Sequence, residues 1–312
     1  MDMGATGRFN AEAMTAAMRQ VADKLGVPAD DARLLRMTNN AVFALPDIGI
    51  VIRVARTHRL RHRVGTAVEL AKWFAQVDAP TIRLAPDIAQ PVEIGELRAS
   101  VWRYLAPAPP APAADNLGRV LREFHTLGAP PFPVPQWDPV GDARRRLADA
   151  EELQEADRVF LWEWCGALDA RIAALRQREP ERLIHGDAHV GNLLRGPDGR
   201  VVLCDFDATC LGPWQVDLVA VAVGEARFGR AGAHAALASA YGYDVTTDPN
   251  WPLLREAREL KMVVAAVPLL ESSPRYAAEF ANRLRSVRCG DHEAGWIPFA
   301  DLAQTANSAT VP

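Results

Sequence analysis

Leu183-Ile184-His185-Gly186-Asp187-Ala188-His189-Val190-Gly191-Asn192-Leu193-Leu194, followed by Val201-Val202-Leu203-Cys204-Asp205-Phe206-Asp207, is the stretch that decides how this sequence is read. Asp187 precedes Asn192 by five residues, and Asp205 lies thirteen further on. Side chains of these types in this order suit phosphoryl transfer. That reaction needs a carboxylate to orient an attacking hydroxyl and accept its proton. It also needs hard oxygen ligands for a magnesium ion that neutralises the phosphates. Asp187 suits the first task; the Asn192 carbonyl and the Asp205 carboxylate suit the second. The apolar run 201–204 reads as a buried strand that would hold Asp205 rigidly. The plain alternative is a tight turn capped by Asp and Asn.

The flanking patterns give the architecture. Residues 11–25 read as an amphipathic helix that Asn10 can cap and Gly26 can end. Alternating segments follow at 33–37, 41–45 and 50–55, punctuated by Thr38-Asn39-Asn40 and Pro46-Asp47-Ile48-Gly49, which predicts an antiparallel meander. A helix is expected over 59–77, with Val64, Ala67, Ala71 and Phe74 near one face. Strands are expected at 91–94 and 97–104. Residues 106–115, Ala-Pro-Ala-Pro-Pro-Ala-Pro-Ala-Ala-Asp, form a stiff connector. Beyond it the periodicity is helical at 116–127, 141–156 and 158–177. A second Pro-rich loop covers 129–139. A loop-and-strand region spans 182–213, and helices resume at 214–227, 231–241, 252–269 and 275–287. The expected fold class is therefore α+β and bilobal. A small antiparallel β-rich N-terminal lobe spans 1–105, and a larger, mainly helical C-terminal lobe spans 106–312.

Bulk properties exclude several classes. At 49% hydrophobic and 24% charged, the 312 residues are composed like an ordinary folded protein. A net charge of -4 and a pI near 6.0 argue against a nucleic-acid partner. No apolar run approaches the roughly 20 residues of a membrane helix. Cys165, Cys204, Cys210 and Cys289 are scattered without a C-x-x-C pair, and the first residues read as no secretory leader. Both point to a reducing cytoplasm. Lys24, Lys72 and Lys261 are the only lysines, so a lysine-dependent motif must draw on them. G-x-x-x-x-G-K-[ST], G-x-S-x-G and H-E-x-x-H are all missing, so P-loop, hydrolase and zincin readings lack support.

His185 to Asn192 parallels the protein-kinase loop H-R-D-L-x-x-x-N except at Arg and Leu, and Asp205-Phe206-Asp207 parallels D-F-G except that Asp207 replaces glycine. More closely, His185-Gly186-Asp187 through Asn192 resembles the H-G-D-x-x-x-x-N signature of the aminoglycoside phosphotransferase and choline kinase-like family, enzymes of protein-kinase-like fold. Asp205-Phe206-Asp207 resembles that family's magnesium-binding segment. Gly212-Pro213 and Asp217-Leu218 resemble the G-P and D-L pairs that come after this segment in the family.

The resemblance implies ATP and Mg2+ as cofactors, with Asp187 and His185 in the catalytic loop, Asn192 and Asp205 as metal ligands, and Asp207 in support. It implies that Asp217 braces the loop by accepting backbone N–H groups; a helix-start charge is the equal alternative. It also implies a basic strand residue paired with a helical glutamate at the ATP phosphates, for which Arg53 and Glu69 stand, with arginine departing from the kinase lysine. The alternative is a surface arginine and a solvated glutamate. Thr38-Asn39-Asn40 would be the turn over the phosphates, without the kinase glycines. Trp102, Arg103, Tyr104 and Leu105 would form the hinge beside adenine, or else an ordinary edge strand.

The expected function is transfer of the γ-phosphate of ATP to a hydroxyl of a small molecule, aminoglycoside-like or another amino or sugar alcohol. Two alternatives are a protein serine/threonine kinase-like enzyme and an inactive nucleotide-binding scaffold. The missing A-P-E-like segment speaks against the first, and retention of Asp187, Asn192 and Asp205 speaks against the second. A cationic acceptor is expected, because Asp187, Asp205 and Asp207 bring several carboxylates together. The sequence is silent on oligomeric state.

Overall fold

The computed structural model describes residues 10–37, 40–55, 61–148, 150, 153–299 and 301–302. By compactness they divide into two units, the described residues of 1–112, 130–134 and 191–209, and those of 113–129, 135–190 and 210–312.

The first unit is built on a five-stranded antiparallel sheet. Its strands are β1 (Arg33–Met37), β2 (Asn40–Leu45), β3 (Ile50–Ala55), β4 (Val92–Ile94) and β5 (Leu97–Arg103), in the order β1-β2-β3-β5-β4. Helix α1 (Ala11–Leu25) begins where the Asn10 side chain accepts the Ala13 N–H and ends at Gly26 in the left-handed conformation. It packs Met14, Met18 and Val21 into a core with Phe43, Leu45, Ile52, Val54 and Val101. Ile52 and Val54 alternate with Arg53, so strand period places the arginine on the opposite face from that core. Helix α2 (Arg61–Gln76) buries Val64, Ala67, Val68, Leu70, Ala71 and Phe74.

A short hairpin, β7 (Leu193–Arg195) with β8 (Val201–Leu203), belongs to this unit. Leu203 is fully buried and anchors it, donating its N–H to the Pro80 carbonyl and accepting the Ile82 N–H. Thr38 and Asn39 of the expected phosphate turn lie outside the described residues.

The second unit is mainly helical: α3 (Ala114–Phe124), α4 (Pro139–Ala148), α5 (Glu155–Arg178), α6 (Val216–Phe228), α7 (Ala233–Tyr241), α8 (Trp251–Val264) and α9 (Pro274–Arg288). A two-stranded ladder pairs β6 (Arg182–Ile184) with β9 (Cys210–Gly212). Gly118 lets α7 approach α3 closely, since a Cβ there would lie 2.6 Å from the Leu237 carbonyl. Helix α4 starts earlier than expected, at Pro139 itself. A proline needs no N–H partner in the first turn, and Asp138 caps the start by accepting the Gly141 N–H. Helix α8 stops at Val264, because Pro268 cannot donate within a continuing α-helix, and a 3-10 turn over Val267–Ser272 follows. Among the described residues no helix is long and apolar enough to cross a membrane.

Candidate active site

In the second unit, β6 delivers the chain at Ile184 into His185-Gly186-Asp187. Gly186 has φ +76°, a conformation that a side chain would strain. Asp217, fully buried in the first turn of α6, holds this bend. Its Oδ2 accepts the His185 N–H at 2.7 Å and its Oδ1 accepts the Gly186 N–H at 2.8 Å. Oδ2 also lies 3.0 Å from His125 Nε2, and His125 Nδ1 lies 2.9 Å from the Tyr241 hydroxyl. Burial pushes the Asp217 carboxyl up, but the hydrogen bond and charge of His125, with His185, pull it below the usual range. The His185 ring is wholly buried and its Nδ1 accepts the Asp187 N–H at 3.4 Å.

Replacing Asp217 with Ala would orphan two backbone donors, one buried and one part-buried, and strip His125 of its acceptor. We expect a loss of roughly 3 kcal/mol, since each unsatisfied buried group costs about 1–3 kcal/mol. A chemical-denaturation midpoint indistinguishable from the wild type would refute this bracing role.

Asp187 is about one-third exposed, at 34% for its side chain. Its Oδ1 accepts from Arg258 Nη1 at 2.7 Å and sits 2.9 Å from Lys261 Nζ, which also donates to the Gly186 carbonyl at 3.1 Å. Burial pushes the Asp187 carboxyl up, but Lys261, Arg258 and His189 outweigh it and hold it well below the usual carboxylate range. Arg258 and Lys261 stand one turn apart on α8 and face the same way. They change the expected field. Two cations meet this one carboxylate, a balance that the aspartates of the motif alone did not suggest. Sequence reasoning singled out neither residue as a site, although Lys261 stood out as one of three lysines.

The first unit holds the other carboxylates. The Cys204 N–H donates to the Asn192 carbonyl at 2.9 Å, which ties buried Asn192 to the residue before Asp205. Asp205 has φ +69°, which few residues other than glycine tolerate and which aspartate accepts better than most. One guanidinium nitrogen, Arg53 Nη2, bonds Asp205 Oδ1 at 2.7 Å and Asp207 Oδ2 at 2.6 Å. Asn40 Nδ2 donates to Asp207 Oδ2 at 2.9 Å. Burial pulls the Arg53 pKa down, but Asp207 and Asp205 outweigh it and raise it, so the cation persists. Phe206 is buried between Phe74 and Trp102, with ring centroids 5.1 and 5.9 Å away, and fixes the two aspartates on either side of it.

Two expectations change here. Glu69 pairs with Lys72 at 2.9 Å, and the carboxylate partners of Arg53 are Asp205 and Asp207. Lys72 lies one turn from Glu69 on the same exposed face and is the nearer cation. Trp102 turns its indole inward, packing on Phe206 and donating to Ser100 Oγ at 2.8 Å. Of the expected hinge, only Arg103, Tyr104 and Leu105 reach the surface.

Asn192 and Asp205 are the residues that could offer a metal ion a neutral and an anionic oxygen. They fit magnesium, which uses one or two carboxylates with waters and phosphates rather than an all-protein cage. Among the described residues no cluster of three or more His, Cys, Asp or Glu side chains able to hold a metal occurs.

The model of the phosphotransferase enzyme family matches residues 10–258, and the chain belongs to that family. No curated protein matches it in sequence. Among solved structures it is similar to a choline/ethanolamine kinase family protein from Mesorhizobium loti, at TM-score 0.60 and 19% identity, covering 89% of this chain and 94% of that one. The aminoglycoside phosphotransferase APH(3'')-Id from Streptomyces rimosus matches at TM-score 0.60 and 17% identity, over 80% and 98%. Choline kinase LicA from Streptococcus pneumoniae matches at TM-score 0.58 and 14% identity, over 88% and 99%. Likeness at these identities shows the fold, which is α+β and protein-kinase-like.

Proposed function

We propose that this phosphotransferase moves the γ-phosphoryl group of ATP to a hydroxyl of a small molecule. The observation that carries the reading is the Asp187 carboxylate, held ionised at the end of a bend that Asp217 braces. An ionised, positioned carboxylate can orient a hydroxyl and accept its proton. The hydroxyl oxygen attacks the γ-phosphorus, the bond to the β–γ bridging oxygen breaks, ADP departs with that electron pair, and the proton passes to Asp187. Asn192 and Asp205 are the residues that would hold magnesium, whose charge would offset that of the phosphates. Structural neighbours carry nucleotides: LicA was solved with AMP, and an aminoglycoside phosphotransferase with GDP and kanamycin. The cytoplasm is the proposed location.

Arg53 extends the reading to the phosphates, as a fork held by Asp205 and Asp207. Arg53→Ala should raise the KM for ATP roughly tenfold, the loss of one charge-assisted hydrogen bond. Glu69→Ala should leave it within about twofold, because an exposed pair with Lys72 contributes little. Steady-state kinetics in ATP checks both, and an unaltered KM in Arg53→Ala would remove this arginine from the phosphate site. The overall test is ADP release over a panel of hydroxylated compounds, with mass spectrometry of the product. Magnesium-independent ATP turnover would overturn the reading.

A further inference from the structure

We propose that the phosphoryl acceptor carries an anionic group, and that Arg258 and Lys261 bind it beside Asp187. This rests on the kinase reading and narrows it to a substrate class.

At the Asp187 carboxylate one negative charge meets two positive ones, at 2.7 and 2.9 Å, which leaves a net positive charge at the place where an acceptor hydroxyl must arrive. The carboxylates of α8 do not cancel it. Glu256 is taken by Arg171 and Trp164, and Glu259 by Arg227 and Arg255. The helix thus sorts its charges: Glu256 and Glu259 toward other partners, Arg258 and Lys261 toward Asp187.

Both cations also have donors to spare. Arg258 Nε is a buried donor with no acceptor among the described residues, although its side chain is 18% exposed overall. A buried guanidinium N–H is costly to leave unmade. The Lys261 ammonium has three N–H groups, and the Asp187 and Gly186 oxygens account for two.

Arg258 and Lys261 line a cavity of about 30 Å³ together with Trp137, Val219, Leu254 and Asp187. That volume is of the order of one water's share of the liquid. So small a space beside the two cations suits the tip of a compact polar group rather than a whole ring. Its apolar walls would strengthen a charge-assisted pair.

In the reaction the anion lies on Arg258 and Lys261, and its own molecule presents a hydroxyl to Asp187. The hydroxyl oxygen forms the new bond to the γ-phosphorus, the bond to the ADP oxygen breaks, and the proton goes to the Asp187 carboxylate.

The test compares matched acceptors with the full-length protein and Mg·ATP: gluconate against glucose, and glycerol 3-phosphate against glycerol, with choline and kanamycin as cations. The expected result is a kcat/KM for at least one anionic member roughly ten- to hundredfold above its neutral partner. The pair preferred tells carboxylate from phosphate. Arg258→Gln and Lys261→Met should each shrink that ratio tenfold or more while the KM for ATP stays put. A ratio is independent of how much of a variant is folded. If turnover is confined to neutral or cationic members, or no anionic member reacts although Mg·ATP binds, the proposal is overturned and the kinase reading stands. If the wild type fails to bind Mg·ATP, both fall.

Discussion

Asp187→Asn is expected to lower kcat by roughly a hundred- to ten-thousandfold, the range a positioned general base contributes. The amide keeps the shape of the carboxylate, and its oxygen can still accept from Arg258 and Lys261, so the loop should stay folded and ATP should still bind. Two details of the geometry sharpen the expectation. First, Lys261 and Arg258 hold the Asp187 carboxyl well below its usual range, so it is ionised at every pH above the ordinary carboxylate value. The wild-type kcat/KM profile should therefore show no acid limb from this group between about pH 5 and 8. Arg258→Gln should shift that limb to higher pH, because one of the charges that depress the pKa is gone. Second, the Asn variant leaves two cations facing one neutral amide, so the KM for an anionic acceptor should fall even as kcat collapses. Pre-steady-state and pH-rate measurements check both. A variant with kcat within a few fold of wild type would show that Asp187 is not the base.

That prediction draws unequally on the sequence and the structure. Asp187, Asn192 and Asp205 could be picked out as candidates, because their types and spacing within a short stretch of chain suit phosphoryl transfer. The strands and helices around them were legible too. Alternation and 3.6-residue periodicity carry the strand and helix patterns of the first unit, and Asn10 and Gly26 mark their own caps. The partners were harder. Arg258 and Lys261 lie 71 and 74 residues beyond Asp187, and the pattern of α8 says only that they share a face. His125 reaches Asp217 across 92 residues, and nothing near His125 in sequence announces a buried carboxylate. The Glu69 expectation went astray for a related reason. A family-style pairing was carried to a helix in which Lys72, three residues along, offers a closer charge. Local periodicity shows which way a side chain faces; what it faces is set by tertiary packing. Tertiary packing also changed the electrostatic expectation: the acidic residues visible in one stretch of chain are matched by arginines and a lysine from distant ones.

If Asp205 holds magnesium as proposed, Asp205→Asn is expected to reduce turnover by roughly a thousandfold or more, since losing a carboxylate ligand would forfeit several kcal/mol of charge stabilisation at the phosphates. The structure says why activity, and not folding, should take the loss. Asp207 still holds Arg53 at 2.6 Å and is itself held by Asn40, while Phe206 keeps its place between Phe74 and Trp102. Asparagine also tolerates the φ of +69° at this position, which alanine would strain by about 1–2 kcal/mol. The amide is therefore the cleaner variant, and Asp205→Ala should melt lower than Asp205→Asn while being no more active. Calorimetric titration should show ATP binding that no longer strengthens with added magnesium. Asn192→Ala should weaken it less, because a neutral carbonyl contributes less than a charge. Thermal melts beside the titrations separate the two effects. Near-normal turnover in Asp205→Asn, or wild-type activity that survives EDTA, would take the metal away from this residue.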